Sequence, residues 1–439
     1  MKRKRAAAAA MIVLLAGMTV YGIHSLREWI ETDQNEGKAI LEEELDSSGG
    51  DGNTSSENGE PYANEAAEDG ETEDQWEKGY DLPISDADRA EAESDCKAVM
   101  GSLSYIYQRA AAGVEAGSGV VLPDEILGQM KEVIGKTGVP VLTSESYSAM
   151  ENYGQMDRFL KDCIEGQEGT AVLYEISSGG SVGRREYTFD GEEMYLLSVD
   201  GVWNSSGQPA ISYISYSRIR QWDYTEKGWF GYELCVPEPP EVSEIVDGSR
   251  LMRVIPMSEE NRELSVKYVS AIGYQGNNLL CSNWDEDNME VLDYNGIYEY
   301  LYAVKYGERY DPDEDRTEIP AADFESLITG YLPVTAEQLR EWAAYDSDKG
   351  TYAWASIVCS YTPSTFSASL PEVTAVRENE DGTLTLTIDA VNEKISYNDA
   401  VITHELTICP GEDGSFQYEG NKILDDGIQD IPEYQYRIK

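Results

Sequence analysis

The chain has 439 residues, with 83 acidic against 33 basic side chains and a formal charge of −50. That length exceeds one ordinary hydrophobic core and predicts two domains of about 175 residues each once a leader and a linker are set aside. The charge excludes nucleic acid, whose electrostatic footprint is a basic patch, and disfavours anionic lipid surfaces; a cation, a basic peptide or a neutral sugar is easier to accommodate.

The chain opens with Met1-Lys-Arg-Lys-Arg5 and an uncharged run from Ala6 to Ile23. As a helix that run reaches about 27 Å, close to the roughly 30 Å hydrocarbon thickness of a bilayer. The basic tip stays cytoplasmic and sends the rest outward. Residues 1–30 therefore read as a tip and transmembrane helix of a single-pass cell-membrane protein. The same order of basic, apolar and polar residues also suits a signal peptide, after whose cleavage the protein is secreted. No Ala-x-Ala site follows, and the length favours the anchor. Cys96, the first cysteine, is too far from the run for a lipoprotein.

Residues 31–80 hold 17 acids and 2 bases among Gly, Ser and Asn. Such a stretch cannot bury enough surface to offset its ordering entropy, so it reads as a disordered, self-repelling acidic linker. Residues 81–256 and 257–439 then form the two expected domains. Both are α+β, each with helices followed by an antiparallel sheet.

In the first, Ser85 to Ala112, a stretch opening at Leu122-Pro123, and Ser148 to Ile164 carry helical apolar spacing. Cys96 joins Met100, Leu103 and Tyr107 on one stripe, and Cys163 joins Met156, Phe159 and Leu160. Thr170 to Ser177, Arg184 to Phe189, Met194 to Trp203, Ile211 to Trp222, Trp229 to Val236 and Leu251 to Ile255 read as strands, antiparallel because their connections are short.

In the second, Ser258 to Ala271, Met289 to Val304, Ala321 to Leu332 and Thr335 to Tyr345 read as helices, the last with a Thr335–Gln338 capping box. Strands follow at Thr351 to Ser360, Val373 to Arg377, Thr383 to Val391, Ala400 to Cys409 and Phe416 to Ile423. Leu384, Leu386, Ile388 and Ala390 alternate with Thr383, Thr385, Thr387 and Asp389, which predicts one apolar and one wet face.

Chemistry-bearing motifs are sparse. The six cysteines permit disulfides in 15 full pairings but form no C-x-x-C. His404 is the sole histidine besides His24, which excludes two-imidazole mechanisms; counting by twos puts it with Ile402, Leu406 and Ile408 on an apolar face. Gly179-Gly-Ser-Val-Gly183 matches G-x-S-x-G, yet strands on both sides make it a hairpin loop. Ser94–Lys97, Lys136–Gly138 and Ser396–Asn398 match penicillin-binding signatures in the wrong order. Asp311, Asp313 and Asp315 have the acid spacing of a calcium loop without its turn glycine or bidentate Glu, leaving a weak calcium candidate. Tyr213, Tyr216, Trp222 and Trp229 are candidates for an aromatic ligand-binding surface. No catalytic residue and no cofactor is assigned.

The block Phe324-Glu-Ser-Leu-Ile-Thr-Gly-Tyr-Leu-Pro-Val-Thr-Ala-Glu-Gln-Leu-Arg340, continued by Tyr345-Asp346 and Thr351-Tyr-Ala-Trp354, resembles a family of uncharacterised, membrane-anchored extracytoplasmic proteins of Gram-positive bacteria. The endings His404-Glu-Leu-Thr-Ile408 and Gly414-Ser-Phe-Gln-Tyr418 are similar to it as well. The resemblance implies a location and no functional residue. The resulting expectation is a binding or scaffolding module at the cell envelope, with polysaccharide or protein as partner. The alternative is a glycosidase-like envelope hydrolase, for which an acidic pair suffices.

Overall fold

The computed structural model describes residues 76–112, 120–145, 147–243, 245–310, 316–355, 364–392 and 399–438. The expected membrane segment and residues 31–75 of the linker lie outside them. Among the described residues no helix is long and apolar enough to cross a membrane.

Ser85 caps helix α1 (Asp86–Ala111), its side chain accepting from the Asp88 amide, and the helix buries Ala92, Cys96, Met100, Leu103 and Tyr107 along one stripe. Helix α2 (Asp124–Gly135) buries Leu127, Met130 and Ile134; Pro123 stands at its N-cap, one place ahead of the first turn. Strand β1 (Val141–Thr143) and helix α3 (Gly154–Ile164) precede β2 (Gly169–Ile176), β3 (Val182–Phe189), β4 (Met194–Trp203), β5 (Pro209–Tyr224), β6 (Trp229–Leu234) and β7 (Ser249–Arg253). All seven strands form one sheet in chain order.

The expectation of a wholly antiparallel sheet needs correction at one edge. β1 runs parallel to β2, Val141 facing Tyr174, because α3 supplies the crossover that parallel strands require. Side chains alternate across the sheet. Tyr174, Ile176, Val182, Leu197 and Val199 meet α1 and α2; Leu173, Tyr187, Phe189, Met194 and Leu196 meet α3. α1 approaches so closely that a methyl group on Gly201 would lie 2.3 Å from the Met100 sulfur.

The second half holds helices α4 (Glu259–Tyr268) and α5 (Tyr294–Tyr306), strand β8 (Glu318–Pro320), helices α6 (Ala321–Tyr331) and α7 (Ala336–Trp342), strands β9 (Tyr345–Asp346) and β10 (Thr351–Ala353), then β11 (Leu370–Glu378), β12 (Leu384–Val391), β13 (Thr403–Pro410) and β14 (Phe416–Ile423). The expected order of helices before sheet is interrupted here, since β8, β10 and β9 make a small sheet between the helices. The final four strands form an antiparallel meander. The Thr335–Gln338 capping box is present. Phe324 stacks on Tyr352 at 4.0 Å and on Tyr298 at 5.2 Å, in a core that also takes in Leu386, Ile388, Leu406 and Tyr418.

β12 departs from the expected wet face. Thr385, Asp389 and Val391 are buried along with Leu386, Ile388 and Ala390. The reason is tertiary: β6 and β7 of the first sheet cover this face. Trp229 and Leu251 pack on Val391 and Leu370, Lys227 pairs with Asp389, Arg253 pairs with Glu372, and the Tyr147 hydroxyl donates to the Pro371 carbonyl.

Candidate functional site

The α3 face of the first sheet stays open at the end away from α3. There β2 to β7 line a groove of about 370 Å³, with Tyr80 and Asp81 at its rim. Its floor is set by strand register. Glu175 of β2 and Asp200 of β4 both lie opposite Gly183 of β3, and Tyr213, Ser215 and Ser217 of β5 face Asp200, Ser198 and Leu196. Tyr232 of β6 lies opposite Arg250 of β7.

Arg185 is the centre of this floor, 8% exposed. Its Nε donates to Glu175 Oε2 at 3.0 Å and its Nη2 approaches Asp200 Oδ1 at 2.7 Å. Burial works against the guanidinium charge, but the Asp200 and Glu175 carboxylates more than offset it and hold its pKa above the ordinary value. Burial also raises the Tyr232 phenol, with the Glu175 charge adding to it; its hydroxyl lies 3.2 Å from that of Tyr187. The two bonded carboxylate oxygens are within about 8 Å of each other, a bound set by their bond lengths and the width of the guanidinium fork. That bound admits a glycosidase pair. Yet both carboxylates are tied to a single buried cation instead of facing each other across open space.

The rest of the wall has unfilled hydrogen-bonding capacity. Arg250 donates from Nη1 to the Ser249 carbonyl at 2.7 Å, and among the described residues it has no carboxylate in ion-pair reach. Among those same residues the hydroxyls of Ser198, Ser215 and Ser217 make no hydrogen bond. Tyr213 is 55% exposed. A ring face, three hydroxyls and a guanidinium in one concavity suit a polar, hydroxyl-bearing ligand.

The other aromatic candidates are elsewhere. Tyr216 is on the opposite face, beside Tyr195 and Trp76 at 5.8 and 6.3 Å. Trp222 is wedged between Phe189 and Phe230, and Trp229 is buried between the sheets, with Arg253 over its ring at 5.1 Å. Asp311, Asp313 and Asp315 lie outside the described residues; among those described, no cluster of three His, Cys, Asp or Glu could hold a metal ion. Glu175, Arg185, Asp200 and Arg250 went unnoticed in the sequence. The one available signal was the Arg184-Arg185 pair inside a strand, which commits a charge to each face.

His404 sits in the core as its spacing predicts, 0% exposed. Asn421 donates from Nδ2 to the Leu280 and Ser282 carbonyls, which leaves its Oδ1 as the acceptor for His404 Nδ1 at 2.6 Å. Nδ1 therefore carries the proton, and Nε2 accepts from the Tyr274 hydroxyl at 2.8 Å. Burial pushes the imidazole pKa down to about 4, with Asn421 opposing. Ser177 and Ser181 bond to each other across the β2–β3 loop, so the G-x-S-x-G serine stands in a hairpin. Ser94 and Lys97 lie within α1, while Ser396 to Asn398 are outside the described residues.

Cys96, Cys163, Cys235 and Cys281 are buried and unpaired, Cys409 is half-buried and unpaired, and Cys359 is outside the described residues. Burial pushes the thiols of Cys96 and Cys163 up to about 11 and that of Cys281 up to about 12.

Searches of curated proteins and of solved structures return no match. A family of unknown function, DUF6070, matches residues 89–437, nearly all of the described fold, and the chain belongs to that family.

Proposed function

We propose that this is a membrane-anchored extracytoplasmic binding protein whose two domains, 81–256 and 257–439, are carried beyond the bilayer on the acidic linker, with the β2–β7 groove as the ligand site. The basic tip and the apolar run of 18 residues support the compartment, as does the likeness of the Phe324–Arg340 block to extracytoplasmic proteins of Gram-positive bacteria. The observation that carries the binding reading is the open wall of Ser198, Ser215, Ser217, Tyr213 and Arg250. It suits a neutral, hydroxyl-rich chain such as an envelope polysaccharide: the Tyr213 ring stacks on a sugar face and the hydroxyls exchange hydrogen bonds with it. Titration of the purified chain with a panel of envelope polysaccharides and peptides tests this. Binding to a saccharide that weakens in Tyr213→Ser supports it, and a panel with no ligand above background leaves a structural role.

The presence of Glu175 and Asp200 together on the groove floor favours a second reading, glycoside hydrolysis. Release of reducing ends that stops in both Glu175→Gln and Asp200→Asn would establish it. The binding reading expects no release from the unaltered chain.

A further inference from the structure

At the contact between the first sheet and the final meander, two ion pairs flank an apolar cluster of Trp229, Leu251, Val391 and Leu370. Glu372 of β11 and Asp389 of β12 are register partners, 2% and 1% exposed, so two carboxylates stand side by side on the covered face. Asp389 has both oxygens engaged: Oδ1 accepts from Thr403 at 2.7 Å and Oδ2 pairs with Lys227. Glu372 does not. Its Oε1 pairs with Arg253 while its Oε2 is buried without a partner.

A carboxylate taken out of water with one bare oxygen, next to a second carboxylate, is costly when ionised. A proton on Oε2 removes the negative charge, and with it the charge-desolvation cost and the repulsion from Asp389. We propose that Glu372 makes this junction a proton-tightened clasp, in which the two sheets hold each other more firmly as the pH falls and less firmly as it rises. Burial first, then the Asp389 charge, hold the docked carboxyl above the ordinary carboxylate range, with Arg253 and Lys227 opposing. Once the sheets part, the group is rehydrated and returns to that range. The docked form thus binds the proton more tightly. Its stabilising contribution is complete below the ordinary carboxylate value and is lost as the pH rises through the docked value. A junction held mainly by the Arg253 and Lys227 ion pairs has the opposite sign, because acid would break it.

The other groups around Glu372 do not reverse this. Tyr147 contributes a phenol whose pKa burial raises, with Glu372 adding. Among the described residues α4, packed on β11, turns the uncharged Asn261 and Ser265 to the strand, and its charged residues Glu259, Glu260, Arg262, Glu263 and Lys267 make no bond to Glu372.

Hydrogen exchange on the full chain, corrected for intrinsic rates, tests the clasp between about pH 4 and 8, the window around the carboxylate values. The amides of β7 and β11 should gain protection toward acid, by up to about tenfold for each pKa unit of upward shift, while those of β4 and β14 serve as internal references. Glu372→Gln, neutral at every pH, should hold acid-level protection throughout. Asp389→Asn removes the neighbouring charge and should move the loosening to lower pH. Protection of β7 and β11 that falls toward acid relative to β4 and β14, or an unchanged pH dependence in Glu372→Gln, overturns the clasp.

Discussion

The Arg185 guanidinium lies over the backbone of Gly183, so close that a methyl group there would stand 2.6 Å from Nη2. Glycine at 183 is therefore what allows one cation to bridge Glu175 and Asp200 across three strands. Gly183→Ala should lift the guanidinium and break both ion pairs, costing roughly 2–4 kcal/mol. Urea denaturation reads this as a lower midpoint, and an unchanged midpoint would show that the bridge is not held by this contact.

His404 gives a pH signature distinct from that of the carboxylates. Its folded pKa of about 4 lies below the ordinary value of 6.5. The unfolded chain therefore takes up a proton that the folded one refuses, and stability falls as the pH drops from the ordinary value toward the folded one. The loss amounts to roughly 3 kcal/mol. His404→Gln should lack this component, so the stability difference between the two proteins shrinks with acid. A difference that stays constant with pH would mean the imidazole is not held neutral.

The capping box offers a local test. Thr335→Ala removes the acceptor for the Gln338 amide, a bond of 3.2 Å, and should cost about 1 kcal/mol. Gln338→Ala should cost less, because Thr335 still caps the helix. Equal costs, or none, would show that α7 is held by packing alone.

Much of the fold was legible because pattern and turn chemistry agree. β4 and β14 fall at their expected limits, since runs of Tyr, Val and Ile end at clear Gly, Asp or Ser turns. α1 begins at its Ser85 cap, as expected. β1 escaped notice because three residues carry no period, and its parallel pairing depends on α3. Asp389 read as wet because alternation reports two faces and cannot say that another sheet covers the second. The groove escaped for a related reason: Glu175, Arg185 and Asp200 are 10 to 25 residues apart, and only the register of three strands brings them together.

Cysteine reactivity checks the burial pattern. Alkylation of the native chain at neutral pH should spare Cys96, Cys163 and Cys281, whose thiols are buried and protonated, while half-buried Cys409 reacts faster. Mass spectrometry of the digested product reports the order. Fast labelling of Cys96 would contradict its 0% exposure under α1.

The binding of a hydroxyl-rich ligand in the β2–β7 groove is the proposal that most needs a direct test. The most direct measurement is calorimetric titration of the full chain and of Tyr213→Ser with the envelope polysaccharide recovered from the cells that make it. The unaltered chain should bind saturably and the variant should lose about 1–3 kcal/mol, the worth of an exposed aromatic anchor. Equal affinity in the two proteins, or no heat in either, would contradict it.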